Sequence, residues 1–270
     1  MTSERQLKQG PWLLGNRRAA LTVTLIPYLL LGFLEHLPGM IIPPLLYFAA
    51  AGVWALYVTP RLLGLPNGRK PFREYCTDIC LLPITPLGRN ILLGVLMAAL
   101  TLSSILLASL LTKHFVLDWS FVPTLRWVKG LTRGVWEEVF FRGIMLAILI
   151  RFYGQRKAVL WMTTIFALVH LDIMDVTLEG IVDVVSIFFI GLLFVYLVLK
   201  TGSLLPAIVF HYVHDVFVLL VQNAPGASEP KASVLLYGFL WVALAVGAVL
   251  TKHIVERWPA RQSESLSVRG

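Results

Sequence analysis

The chain has 270 residues, of which 57% are hydrophobic and only 14% charged, and its mean hydropathy is +0.78. A water-soluble surface needs nearer a quarter charged residues, so the composition excludes a cytosolic enzyme, a disordered linker and a nucleic-acid-binding domain. The net charge of +8 then reads as the basic face of a membrane protein, and two cysteines, Cys76 and Cys80, are too few for a disulfide framework or a zinc cage.

A helix needs about 20 mostly apolar residues to cross a bilayer. Eight such runs follow one another: Ala19–Leu37, Met40–Thr59, Asn90–Thr112, Gly130–Ile150, Lys157–His170, Asp183–Leu199, Ser203–Val221 and Val234–His253. Pro38-Gly39 turns the first two into a hairpin. The first run starts late, lacks a small-residue cleavage site and meets a second span at once, so it reads as a span and not a cleavable signal. The expected fold is all-α: a polytopic membrane protein of about eight transmembrane helices enclosing an intramembrane catalytic cavity. It forms one integral domain over 1–270 with its motif-bearing core at 130–221, and the polar tail 256–270 is expected to be disordered.

Basic residues orient such a chain. With both termini on one side, that side collects seventeen of the 23 Lys and Arg, the other side five, and Arg142 lies within a span. The expectation is an integral protein of the plasma or inner membrane with both termini cytoplasmic. The loop between spans three and four, with Lys113, Arg126, Lys129 and Arg133, runs against this trend.

A charge at mid-bilayer costs about 2.5–3.5 kcal/mol on insertion scales, so intramembrane ionisable groups signal function. Here they gather in three spans. The fourth carries Glu137, Glu138 and Arg142, the fifth ends at His170, and the seventh carries His211, His214 and Asp215. Glu138 and Arg142 are four apart on one helical face and form a structural pair. Glu137 points about 100° away and is the better catalytic candidate. His211 and Asp215 also share a face, with His214 flanking it. The direction of each span brings Glu137, His170, His211 and Asp215 to one level in the bilayer.

Glutamate, two histidines and aspartate without a serine or cysteine nucleophile suit activation of water. In this reading Glu137 takes the proton of water, His170 orients that water, and His211 with Asp215 stabilises the oxyanion. The same set could instead hold Zn²⁺ through His170, His211 and a carboxylate, although no H-E-x-x-H is present. The residue types leave both open. A proton-coupled transporter or channel with a buried relay is the competing class, though neither repeated halves nor broken helices are evident. A non-catalytic immunity or scaffold protein is a third.

Glu137-Glu138-x-x-x-Arg142, Phe166-x-x-x-His170 and His211-x-x-x-Asp215, with Ser203-Leu204-Leu205-Pro206-Ala207 ahead of the last, resemble the CPBP/Abi family of intramembrane endopeptidases. That family includes the type II CAAX prenyl endopeptidase, the Ras-converting enzyme. The resemblance covers Glu137 to Asp215 and implies a glutamate-dependent peptidase that needs no metal or other cofactor. It implies Glu137 as water activator, His170 as helper, and His211 and Asp215 as oxyanion stabilisers. The implied partners are the lipid bilayer and a membrane-anchored protein or peptide: a prenylated tail, a leader peptide or a C-terminal sorting anchor. An ionised Asp215 would repel an oxyanion, so orientation of His211 is its alternative role. The acidic run Asp172, Asp175, Glu179 and Asp183 reads as a solvated segment, Glu35-His36 as interfacial, and Trp119, Trp127 and Trp136 as interfacial anchors.

Overall fold

A computed structural model describes residues 22, 25–27, 42–112, 115–117, 124–171, 177–218, 221–223 and 230–258. Most of the first expected span, the Pro38-Gly39 turn, Glu35-His36, Trp119, Asp172, Asp175 and nearly all of the tail lie outside them. The regular secondary structure described is helical except for one small ribbon. Helix α1 (Ile42–Val53) runs through a π-helical stretch (Trp54–Val58) into α2 (Thr59–Leu62), which contains Pro60. Helix α3 (Arg69–Asp78) is polar and was not anticipated from hydropathy. It is followed by α4 (Leu87–Thr112), strand β1 (Phe115–Leu117) and α5 (Thr124–Glu137). A second π-helical stretch, Glu138–Met145, joins α5 to α6 (Leu146–Tyr153).

Gly154, at φ +75°, breaks the chain between α6 and α7 (Gln155–Leu168), where only glycine adopts that conformation freely. Helix α8 (Leu178–Thr201) starts on a Thr177 cap, whose side chain accepts from the Gly180 amide, and ends on Gly202 in the left-handed region. Helix α9 (Leu205–Val218), strand β2 (Val221–Asn223) and α10 (Pro230–Arg257) complete the described chain. The two three-residue strands pair antiparallel, Val116 opposite Gln222, and tie the ends of α4 and α9 together.

Seven of the eight expected apolar runs therefore appear as helix. Four described helical segments are long and apolar enough to cross a membrane: Pro44–Leu62, Leu87–Thr112, Gly180–Thr201 and Leu235–Arg257. The helices that carry the ionisable groups are shorter or more polar. α7 and α9 have 14 residues each, and α5 opens with Arg126, Lys129 and Arg133.

Helix α9 lies at the centre, packed against α4, α5 and α8. Small residues allow these approaches, as they do between helices in lipid. A Cβ on Gly94 would stand 2.6 Å from Val209 Cβ and 2.7 Å from the Pro206 carbonyl oxygen, and one on Gly134 would stand 3.1 Å from the Tyr212 amide nitrogen. The buried core beneath is aromatic and aliphatic, with Phe140, Phe141, Phe194 and Phe210 at its middle. Arg89 is buried at the start of α4, where its guanidinium donates to Asn90 Oδ1 and, over 2.8 Å, to the Trp258 carbonyl at the end of α10.

Candidate functional site

The π-helical stretch Glu138–Met145 is buried at every residue, and it begins at the acidic pair. Such stretches re-aim side chains that a regular α-helix would space evenly, and they recur at functional sites. Glu138 is fully buried and accepts from Arg142 Nη1 at 3.0 Å, as expected for a pair four residues apart. The Arg142 guanidinium is clamped between two rings, 3.7 Å from the Phe166 centroid and 4.7 Å from that of Phe194. Gly191 makes room for this clamp, since a Cβ there would meet Thr163 at 2.9 Å and Arg142 Nη2 at 3.4 Å. Phe166 comes from α7 and Phe194 from α8, so one buried cation gathers both helices against the acidic stretch.

Across from it stands His211 of α9, buried and stacked on Phe194 with ring centroids 5.3 Å apart. Its Nδ1 lies 2.8 Å from Glu138 Oε1. A carboxylate accepts, so Nδ1 carries the hydrogen and donates. Nε2 then faces two other carboxylates, Asp215 Oδ2 at 3.5 Å and Glu137 Oε2 at 3.9 Å. The pairing of His211 with Asp215 four residues on is as expected. The contact with Glu138 is not: the sequence reading confined that carboxylate to Arg142. It escaped notice because the partners lie 73 residues apart on different helices, and no spacing rule reaches that far.

Glu137 is 7% exposed, and its Oε2 is buried without a hydrogen-bond partner among the described residues. A buried carboxylate oxygen left unpaired is costly, by about 1–3 kcal/mol or more for a charged group, and such an atom marks a place for water or substrate. Asp215 is flanked on its other side by His214, whose Nδ1 lies 3.7 Å from Asp215 Oδ1. His214 otherwise meets Phe210 edge-on. Its own part is thus to border Asp215 and not to join the ring of groups around His211.

His170 closes α7 and is exposed. Its Nδ1 lies 2.7 Å from the Phe166 carbonyl oxygen, which can only accept, so Nδ1 carries the hydrogen and Nε2 is left as an acceptor. Its ring packs on Phe166, 4.7 Å between centroids, and it falls within the electrostatic reach of His211, Asp215 and Arg142. Glu137, His170, His211 and Asp215 are therefore drawn to one region. His211 touches both acids, and His170 joins through the Phe166–Arg142 stack. No group of three or more His, Cys, Asp or Glu among the described residues has a metal-holding arrangement.

Of the residues set aside in the sequence, Asp183 accepts a hydrogen bond from Tyr237 and so ties α8 to α10. Trp136 is buried, with its ring edge against Phe48, and is not an exposed interfacial anchor as expected. Trp127 is exposed and packs edge-on against Phe217.

Neither the comparison with curated proteins nor that with solved structures returned a match. A family model, described as type II CAAX prenyl endopeptidase Rce1-like, matches residues 118–217. That stretch contains all three motifs, and the match bears out the resemblance drawn from them. Residues 118–217, which supply every member of the cluster around His211, are thus similar to the type II CAAX prenyl endopeptidase Rce1-like family.

Proposed function

We propose that the protein is an intramembrane endopeptidase that hydrolyses a peptide bond of a membrane-associated protein with water activated by Glu137. The observation that carries this reading is the meeting of a buried Glu137 oxygen, without a hydrogen bond among the described residues, and His211 Nε2, 3.9 Å apart, inside an Rce1-like segment. Glu137 removes a proton from water held between its free oxygen and the His170 Nε2 acceptor. The hydroxide adds to the scissile carbonyl carbon, and the resulting oxyanion accepts from Nε2–H of His211 in its doubly protonated form, which the surrounding carboxylates favour. Collapse of the tetrahedral intermediate breaks the carbon–nitrogen bond, and the amine leaves with the proton that Glu137 held.

Glu138 contributes by fixing the His211 ring through Nδ1, so that Nε2 faces the reacting atoms. Asp215, 3.5 Å from that same Nε2, acts by holding the charged His211 ring in place and not by meeting the oxyanion, which an ionised carboxylate would repel. No step calls on a metal. The four apolar helical segments and the family match support placement in a membrane, the hydropathy runs and the Lys/Arg distribution add about eight spans with both termini cytoplasmic, and the proposed substrate arrives through the bilayer. A prenylated tail, a leader peptide and a sorting anchor each meet that requirement.

The test compares termini of membrane-anchored proteins in cells carrying the wild type and Glu137→Gln. Uncleaved forms of a defined set should accumulate with the variant while the protein's own abundance stays constant. Identical termini in both cells would defeat the reading. Cleavage that a chelator abolishes and Zn²⁺ restores would replace it with metal-assisted hydrolysis.

A further inference from the structure

A cavity of about 510 Å³ lies between α7, α8 and α10, away from the acidic cluster. Val159, Leu192, Tyr196, Leu199, Trp241 and Ala248 are among its walls, and every lining residue is apolar or aromatic. Volumes of this order accommodate small-molecule ligands, and a wall of aliphatic and aromatic side chains suits a hydrocarbon chain.

The charges beyond the groove are not evenly distributed. Helices α8 and α10 run parallel: Asp183 meets Tyr237, Ser186 accepts from Trp241 Nε1, and Leu193 lies beside Gly247. Helix α7 runs the opposite way, with Thr163 beside Gly191 and Val159 further along at Tyr196 and Leu199. The N-terminal end of α7 therefore meets the C-terminal ends of α8 and α10.

Each of these three ends bears an exposed cation within one helical turn of the lining: Arg156 before Val159, Lys200 directly after Leu199 and Lys252 after Ala248. The Lys200 ammonium lies 5.6 Å from the centroid of the Tyr196 ring, a wall of the groove. Lys157 is a fourth exposed cation at this end, and Glu256 and Arg257 follow one turn past Lys252. The opposite end carries the Asp183–Tyr237 hydrogen bond.

From these observations we infer that the α7–α8–α10 groove is a binding site for an anionic phospholipid, its acyl chain in the apolar cavity and its phosphate against Arg156, Lys200 and Lys252. Basic residues at the ends of packed membrane helices bind anionic headgroups, and the apolar groove receives the chain by van der Waals packing while those cations select the headgroup. The lipid bridges three helices, two of which, α7 and α8, carry Phe166 and Phe194, the rings that clamp Arg142. The site stands whether or not the acidic cluster hydrolyses peptides.

Native mass spectrometry of the detergent-extracted protein tests it, with phosphatidylglycerol or phosphatidylcholine of identical chains added at equal concentration. The wild type should retain phosphatidylglycerol at least fivefold over phosphatidylcholine. In the Arg156→Ala/Lys200→Ala/Lys252→Ala triple variant that preference should disappear, and Ala245→Phe should lower retention of both lipids by filling the groove. The triple variant alters exposed side chains alone, so it decides the matter even if Ala245→Phe does not fold. Equal retention of the two lipids by the wild type, or a preference unchanged in the triple variant, overturns the proposal. So does displacement of phosphatidylglycerol by a farnesylated peptide at equal concentration, which would make the groove a seat for the substrate's own lipid.

Discussion

His211 and Glu138 are joined through the same carboxylate oxygen that receives Arg142, so a single atom links the histidine of α9 to the only cation in the acidic π-helical stretch. Anything that moves this oxygen moves both the histidine ring and the aromatic clamp.

Arg142→Ala should therefore damage stability and activity together. It removes a fully buried charge partner and leaves Glu138 with His211 alone, and breaking a buried pair from one side costs about 3–5 kcal/mol. Thermal unfolding in detergent should show a lower midpoint, and cleavage should fall in parallel. Arg142→Lys should recover part of the ion pair but not the flat stacking between Phe166 and Phe194. A variant as stable as the wild type would mean that Arg142 is not the fastening argued here.

His170→Ala should separate the two effects. The ring is exposed and makes one hydrogen bond to a carbonyl of its own helix, so its loss should change stability by no more than about 0.5 kcal/mol. Cleavage should nonetheless drop by about 100-fold or more if its Nε2 positions the water. Paired measurements of melting and turnover check this, and full activity in the variant would remove His170 from the site.

At the α4–α9 contact, Gly94→Ala should destabilise by about 1–3 kcal/mol, because its Cβ would overlap both a side chain and a backbone carbonyl. Gly238→Ala, which meets nothing within 4 Å, is the control and should be neutral or slightly stabilising. Parallel unfolding curves of the two variants decide it, and equal effects would refute the close approach.

Cys76 and Cys80 lie in and just after α3, outside the four apolar spans. Burial pushes both thiols above their ordinary range, and Asp78 adds to the effect at Cys80. A raised value leaves less thiolate at neutral pH, and thiolate is the reactive form. Alkylation of the native protein at pH 7 should therefore run well below the rate in denaturant and should accelerate as the pH rises. Rapid labelling of both at pH 7 would contradict their placement.

Hydropathy made most of the fold readable because lipid demands long apolar helices, and seven of the eight runs are helical where described. Helix α3 escaped since its ten residues, RKPFREYCTD, are mostly polar, and only Tyr75 and Cys76 turn inward. In the site, spacing of four revealed Glu138–Arg142 and His211–Asp215, because both pairs lie within one helix. It could not reveal Glu138–His211 or the Phe166–Arg142–Phe194 stack, which depend on how α7, α8 and α9 pack. The buried position of Trp136 was hidden for a similar reason, since an indole next to a charged pair looks interfacial until Gly52 and Phe48 are seen beneath it.

Arg89 bears on where this chain tolerates cutting. Its guanidinium reaches the carbonyl of Trp258, so a truncation that stops short of that residue would strand a buried cation at the foot of α4. A cut that removes Trp258 should thus be harmful, a penalty set by the loss of a main-chain oxygen.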